Sequence, residues 1–516
     1  MRSEFLAELE HRVLVADGAM GTMLQSFDLS LDDFGNLEGC NEILNLTRPD
    51  VVRDVHRGYL DAGSDAVETN TFGANLANLA EYDIEDKIFE LAETGARLAR
   101  EVAEEYSTPT RPRFVLGAVG PGTKLPTLGH VDFDTLCRAY TETGRGLLLG
   151  GADAVLVETC QDLLQTKAAV LGAKRAMVAE GRRIPIIAQV TVETTGTMLV
   201  GSEIGAALTA LEPLGIDLIG MNCATGPAEM REHLRTLSQR ARIPLSVMPN
   251  AGLPSLGKDG AVYPLQPEEL AQALTEFVTH YGARLVGGCC GTTGEHISRV
   301  AEAVRELPVT TPEHQCQPGM SSMYQAVPFE QDASILMIGE RTNANGSKAF
   351  REAMLAGRID DCVDIAKAQT RDGAHLLDLC IDYVGRDGVA DMAELASRLA
   401  TASTLPIMLD STDPEVLRAG LERLGGRCAV NSVNYEDGYG PESRYHKVME
   451  LATEHGAAVV ALCIDEDGQA RTADWKLRVA TRLIEDLTTN WGMQVGDIIV
   501  DCLTFPISTG QEEVRR

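Results

Sequence analysis

The chain has 516 residues, 44% of them hydrophobic and 23% charged, and its 76 acidic against 45 basic side chains give a formal charge of -31. That length exceeds one ordinary core and suits two domains of barrel size. So acidic a surface argues against nucleic acid or an anionic membrane as partner, and no apolar run approaches membrane-spanning length.

The N-terminus, Met1-Arg2-Ser3-Glu4-Phe5-Leu6, has no apolar core followed by a cleavage site, so a cytoplasmic location is expected. In that reducing setting the 12 cysteines, which lack framework spacing, read as free thiols plus a metal site rather than as disulfides. Short apolar runs then recur, each ending in Gly, Asp, Glu, Asn or Cys and each followed by a longer amphipathic or Ala/Leu-rich stretch. They cover 13–17, 65–70, 114–120, 154–158, 186–192, 218–223, 245–250 and 284–290. Eight such strands separated by helices predict a closed parallel (β/α)8 barrel of the TIM type, with function on the loops at the carboxyl ends of the strands.

Four of those ends carry chemistry. The first reads Asp17-Gly18-Ala19-Met20-Gly21-Thr22, a glycine-bracketed loop whose amides can approach a small anionic group, with Asp17 beside them. The fourth reads Val157-Glu158-Thr159-Cys160 and sets a carboxylate on the same rim, where it can hold an ammonium group. Helix capping is the plainer reading of Asp17 and Glu158. The sixth ends in Asn222-Cys223 and the eighth in Gly287-Gly288-Cys289-Cys290-Gly291. Adjacent cysteines seldom bond to each other, so the pair either fills core space or binds metal. A third cysteine at the end of strand six, near strand eight across the mouth, favours the metal. Cys223, Cys289 and Cys290 then form a three-thiolate set suited to zinc, with the fourth position left for substrate. Together the loop, the acid and the metal describe a site for an amino acid that carries a thiol. His56, His296 and His314 lie in helical or linker stretches, where solvated or capping roles are expected.

Asp17-Gly18-Ala19-Met20-Gly21-Thr22, Glu68-Thr69-Asn70-Thr71-Phe72-Gly73-Ala74-Asn75, Asn222-Cys223 and Gly287-Gly288-Cys289-Cys290-Gly291 resemble the homocysteine-binding barrel of the zinc homocysteine methyltransferases. The resemblance covers residues 1 to about 305. It implies that Cys223, Cys289 and Cys290 are the Zn2+ ligands, that the loop including Asp17, Gly18 and Thr22 receives the amino acid, and that Glu158 binds its amine. The expected first domain is 1–308.

Residues 309–332 contain Thr-Thr-Pro, Gln-Pro-Gly and a Ser pair, with little periodicity, and read as an interdomain linker. A second rhythm fills 333–516, with strands at 335–340, 375–380, 406–411, 428–433, 457–465 and 497–503. This half resembles the pterin-binding barrel of the cobalamin-dependent methionine synthase family. The resemblance rests on Ile338-Gly339-Glu340-Arg341-Thr342-Asn343, Leu377-Asp378, Pro406-Ile407-Met408-Leu409-Asp410-Ser411 and Val430-Asn431-Ser432-Val433-Asn434. It implies that Asn343, Asp378, Asp410, Asn431 and Asp501 surround a folate, their amides and carboxylates suiting the 2-amino-4-oxo edge of the pterin. The family's Asp-Val-Asn is Asp378-Leu379-Cys380 here, and its Asp-Pro-Asn is Asp501-Cys502-Leu503. Only six strands precede Arg516, so the second barrel is expected to be incomplete and the chain a piece of a longer protein.

The resemblance therefore implies a methyltransferase. A zinc-activated homocysteine thiolate would take a methyl group from methylcobalamin, and the second barrel would present 5-methyltetrahydrofolate to remethylate the cobalamin. The methylcobalamin would be carried by a cobalamin-binding module of the same longer protein that this chain does not contain. The alternatives are a cobalamin-independent homocysteine S-methyltransferase and a non-catalytic zinc- or amino-acid-binding protein.

Overall fold

The computed structural model describes residues 3–257 and 260–504, in two compact units, Met1–Cys316 and Gln317–Arg516. In the first unit all eight predicted strands form: β1 (Leu14–Val15), β2 (Ala66–Glu68), β3 (Phe114–Val119), β4 (Ala154–Cys160), β5 (Ile186–Val190), β6 (Leu218–Asn222), β7 (Leu245–Met248) and β8 (Ala283–Val286). They lie parallel, paired in sequence from β2 to β8, and β8 then pairs with β1. Helices cover the outside, which is why a strand such as β3 is buried at all six positions rather than at every second one.

The barrel interior follows from the two-residue alternation of a strand. Leu14 and Ala16, Ala66, Phe114 and Leu116, Ala154 and Leu156, Ile187, Leu218 and Leu285 share one buried cluster inside the barrel. Phe5 and Leu9 of the helix Glu4–His11 join it and close the amino-terminal end, with the Phe5 ring edge-on to Phe114 at 5.4 Å. The seam between β1 and β2 is sealed largely by side chains. The Asp65 amide donates to Val15 O at 2.6 Å, the Val15 amide to Asp65 Oδ2 at 3.2 Å, and the Glu68 amide to Asp17 Oδ2 at 3.0 Å.

The second unit is an open parallel sheet of six strands, in chain order: β9 (Ile338–Gly339), β10 (Leu376–Leu379), β11 (Ile407–Asp410), β12 (Ala429–Val433), β13 (Ala458–Leu462) and β14 (Ile498–Asp501). The expectation of two tandem TIM-type barrels, the second incomplete, is borne out. The stretch 309–332, expected to be a linker, contains an antiparallel hairpin of Gly319–Ser321 with Ala326–Pro328. It is held because Met320 is 1% exposed among Leu376, Met408, Ala429 and Ala458, plugging the base of the second sheet. Arg427 fastens it: its amide donates to Ser321 Oγ at 2.9 Å and its guanidinium to Gly319 O at 3.1 Å. The structural division thus falls at Cys316/Gln317, ahead of the hairpin. Among the described residues no helix is long and apolar enough to cross a membrane.

Candidate metal and substrate site

The alternation that fills the barrel also selects what faces its mouth. Two residues beyond the apolar interior positions the inward places fall on Gly18, Glu68, Ala118 and Glu158, and four residues beyond Leu218 and Leu285 they fall on Asn222 and Cys289. All but Asn222 line a cavity of about 440 Å³ at the carboxyl ends of the strands, together with Thr22, Thr159, Cys223, Tyr263 and Cys290.

The Sγ atoms of Cys223, Cys289 and Cys290 lie within 4.8 Å of one another, a set that can hold a metal ion. Cys223 and Cys290 are out of phase with the inward positions, and the backbone turns them in. Cys223 and Ala224 have φ of 60° and 52°, and Gly291 has 78°. A Cβ on Gly291 would stand 2.1 Å from the Tyr263 ring, so the loop closes under that ring only as glycine. Cys223 Sγ and Cys290 Sγ are 3.7 Å apart.

The protonation of the three sulfurs favours a cation. Cys290, facing the Cys223 and Cys289 thiols and the Tyr263 hydroxyl, is held down at about 3. Cys289 is pushed well above the usual thiol range by Cys223, then by Cys290 and burial. Contact with Cys289 favours the Cys223 thiolate, but contact with Cys290 and burial outweigh it and push Cys223 up to about 12. Of the three sulfurs, Cys290 is therefore the one most readily ionised. A divalent ion held by Cys223, Cys289 and Cys290 would supply the positive charge that lets the other two lose their protons.

Beside the sulfurs lies an acidic wall. Glu158 is 5% exposed, and burial, then the charge of Cys290, raise its carboxyl to about 8 against the bond from Asn222. Asn222 Nδ2 donates to Glu158 Oε2 at 3.0 Å and to Thr159 Oγ1 at 2.9 Å, while Asn222 Oδ1 accepts from the Thr159 amide at 2.8 Å. Glu68 is raised well above the carboxyl range by burial, then by Glu158 and Asp17. Among the described residues lining the cavity there is no lysine or arginine to neutralise these acids. A ligand ammonium fits that deficit.

Opposite, the loop from Gly18 to Thr22 lines the cavity and is tied to the cysteine loop. Thr22 Oγ1 accepts from the Gly291 amide at 3.2 Å, and the Ala19 amide donates to Thr292 Oγ1 at 3.2 Å. Asp17, expected to face the substrate, lies behind this wall at 1% exposure, because Gly18 takes the inward place and the Asp17 carboxylate accepts the Glu68 amide at the seam. Sequence reasoning had not singled out Glu68, Asn222 or Tyr263 as site residues. The strand alternation could have found the first two. Of the histidines, His296 caps its helix with Thr293. His56 is fully buried, without hydrogen-bond partners at either ring nitrogen, contrary to the solvated or capping role expected of it.

In the second unit the same alternation runs from Leu376 to Asp378, Met408 to Asp410, Ala429 to Asn431 and Ile499 to Asp501. Asn343 joins the first two: its Nδ2 donates to Asp378 Oδ2 at 2.8 Å and to Asp410 Oδ2 at 3.2 Å. Burial, opposed by that bond, lifts Asp378 to about 7. Asn431 pairs in register with Asp410. Asp501 stands apart on the last strand, exposed, accepting from the Leu503 amide at 2.7 Å.

Comparison with known proteins agrees with both halves. Residues 14–304 match the family model for homocysteine S-methyltransferase, and residues 339–516 match that for pterin binding enzymes. The chain is 67% identical over 516 residues to the methionine synthase of Mycobacterium tuberculosis and 66% identical over 519 to that of Mycobacterium leprae. These alignments cover 100% of this chain and 43% of each relative, so the chain spans less than half their length. A crystal structure of the metallated homocysteine methyltransferase MmuM from Escherichia coli is similar at 23% identity. It covers 58% of this chain and 98% of that one, with a TM-score of 0.48. The chain therefore belongs to the homocysteine S-methyltransferase family and carries a pterin-binding domain behind that barrel.

Proposed function

We propose that the first barrel activates homocysteine for S-methylation to methionine, with Zn2+ held by Cys223, Cys289 and Cys290. In this reading methylcobalamin gives the methyl group, and the second unit binds 5-methyltetrahydrofolate, through Asn343, Asp378, Asp410, Asn431 and Asp501, to restore it. The cobalamin arrives on a module outside this chain, a division that the 43% coverage of the methionine synthase relatives supports. A cytoplasmic setting agrees with cysteines that stand as thiols rather than disulfides.

The observation that carries the proposal is the convergence of three sulfurs within 4.8 Å at the edge of a 440 Å³ cavity. A neutral thiol is a poor nucleophile, and a zinc ion bound there would supply the positive charge that lets the substrate thiol lose its proton near neutral pH. The chain's own residues do the rest. Glu158 and Glu68 receive the substrate ammonium, which draws the Glu158 carboxyl back toward its ionised form. Asn222 holds Glu158 Oε2 and the Thr159 backbone in place for that contact. The Gly18–Thr22 loop receives the substrate carboxylate, while Asp17 contributes indirectly by bracing the Glu68 amide.

The test is metal analysis of the purified chain with and without homocysteine, coupled to methyl transfer from free methylcobalamin. One zinc per chain, a zinc environment that gains a sulfur on adding homocysteine, and methionine formation are expected. A chain that forms methionine at full rate without metal would defeat the proposal.

A further inference from the structure

At the amino-terminal end of the first barrel, opposite the sulfurs, three arginines gather around one carboxylate, with a fourth, Arg305, nearby. Arg12 Nη1, Arg111 Nε and Arg113 Nη1 lie 3.0, 3.2 and 3.0 Å from Asp65 Oδ1. Asp65 Oδ2 is already engaged by the Val15 amide. One negative charge thus serves three guanidiniums through a single oxygen. Arg12 Nε has a further partner in Glu8 at 2.6 Å, and Arg111 Nη2 donates to Gly63 O at 2.8 Å. Two donors remain buried without an acceptor, Arg12 Nη2 and Arg113 Nε, the latter on a side chain only 7% exposed.

Arg12, Asp65 and Arg111 line a cleft of about 410 Å³ together with Arg305 and Glu306, and Arg113 stands behind its wall. Arg305 is exposed and lies on the last turn of the barrel, after the helix Gly294–Val304. Burial, then the charge of Arg111, pull the Arg113 guanidinium down to about 10, with Arg12 and Arg305 adding to the effect. By formal charge, the four arginines Arg12, Arg111, Arg113 and Arg305 face three acids, Asp65, Glu8 and Glu306, although Asp65 and Glu8 hold the Arg12 guanidinium firmly charged. Buried guanidinium donors without acceptors are rare, because each forfeits the hydrogen bonds it had in water. A tetrahedral oxyanion supplies several acceptors at once and matches the forked donors of arginine.

We infer that this face of the first barrel is a binding site for a phosphate-class oxyanion, either inorganic phosphate or the phosphate group of a small ester. It shares no residue with the sulfur cavity, so it can be occupied independently of homocysteine.

The whole chain is titrated with inorganic phosphate by calorimetry and by 31P line broadening, with chloride at equal ionic strength as the reference and glycerol phosphate as the ester. Saturable heat with phosphate, a midpoint of thermal unfolding raised over chloride, and no displacement by homocysteine are expected. Tighter binding of the ester than of phosphate assigns the cleft to an ester, and the reverse order assigns it to the free ion. Arg305→Gln, at an exposed position, should leave the midpoint in chloride unchanged and weaken phosphate binding by about tenfold. Arg305→Lys should recover part of it. Absence of saturable binding by both ligands, or equal binding to the parent chain and Arg305→Gln, would overturn the site.

Discussion

Asn222 and Glu158, 64 positions apart in the chain, meet through an Nδ2–H···Oε2 bond of 3.0 Å, and the same amide fixes the backbone of Thr159. One side chain thereby joins the end of strand β6, where Cys223 turns toward the metal set, to the acid expected to hold the substrate ammonium.

Asn222→Ala should therefore act on the acid more than on the metal. The Glu158 carboxyl loses a donor that holds its ionised form, and the Thr159 amide loses its acceptor, at about 1–3 kcal/mol of stability. Homocysteine affinity should fall about tenfold, read by calorimetry, while zinc content stays near that of the parent chain. An Asn222→Ala chain that binds homocysteine as before would contradict the role given to this contact.

Cys289→Ala should abolish metal binding, since Cys289 supplies one of only three thiolates and the site has no spare protein ligand among the described residues. Metal analysis is expected to drop from about one zinc per chain to near none, with the far-ultraviolet dichroism spectrum unchanged and methionine formation lost. Retention of full zinc would remove Cys289 from the ligand set.

Gly291→Ala places a methyl 2.1 Å from the Tyr263 ring at a φ of 78°. The backbone strain alone costs about 1–2 kcal/mol, and the ring must move off Cys290. Reduced thermal midpoint together with faster zinc loss to a chelator is expected, and Tyr263→Ala in the same chain should recover part of the stability by making room.

Asp378 supplies a pH dependence in the second unit. Its folded-state value of about 7 lies above the usual 3.8, so the folded state keeps a proton that the unfolded chain releases. Its contribution is fully present below about 4 and is lost as pH rises to about 7, at roughly 1.4 kcal/mol per pH unit at most. Asp378→Asn should flatten that decline and stabilise the unit near neutrality. Trp475 and Trp491 are the chain's two tryptophans and both lie in this unit, so tryptophan fluorescence in urea reads it selectively. A parent chain whose second unit grows more stable between pH 5 and 7 would refute the assignment.

The architecture and the sulfur cluster were legible early, for a local reason. A strand buried on both faces must be apolar along its length and must stop where polar residues begin, so the fourteen runs and their ends could be marked along the chain. Cys223, Cys289 and Cys290 could be grouped because the eightfold repeat puts strand ends on one rim. The hairpin at 319–328 was hidden because its hold depends on Met320 finding a hole in a sheet whose walls run from Leu376 to Ile499, far along the chain.

The sequence by itself determined the succession of strands and helices, the rim to which the three sulfurs are confined and which cysteines meet there, since period and residue type are local properties. Only the tertiary structure decided that Gly18 rather than Asp17 faces the cavity, that Asn222 grips Glu158, that Tyr263 lies over Gly291, and that three arginines crowd Asp65 at the opposite end. Those relations depend on strand phase, left-handed turns and packing between segments distant in the chain, and they have no short-range signature.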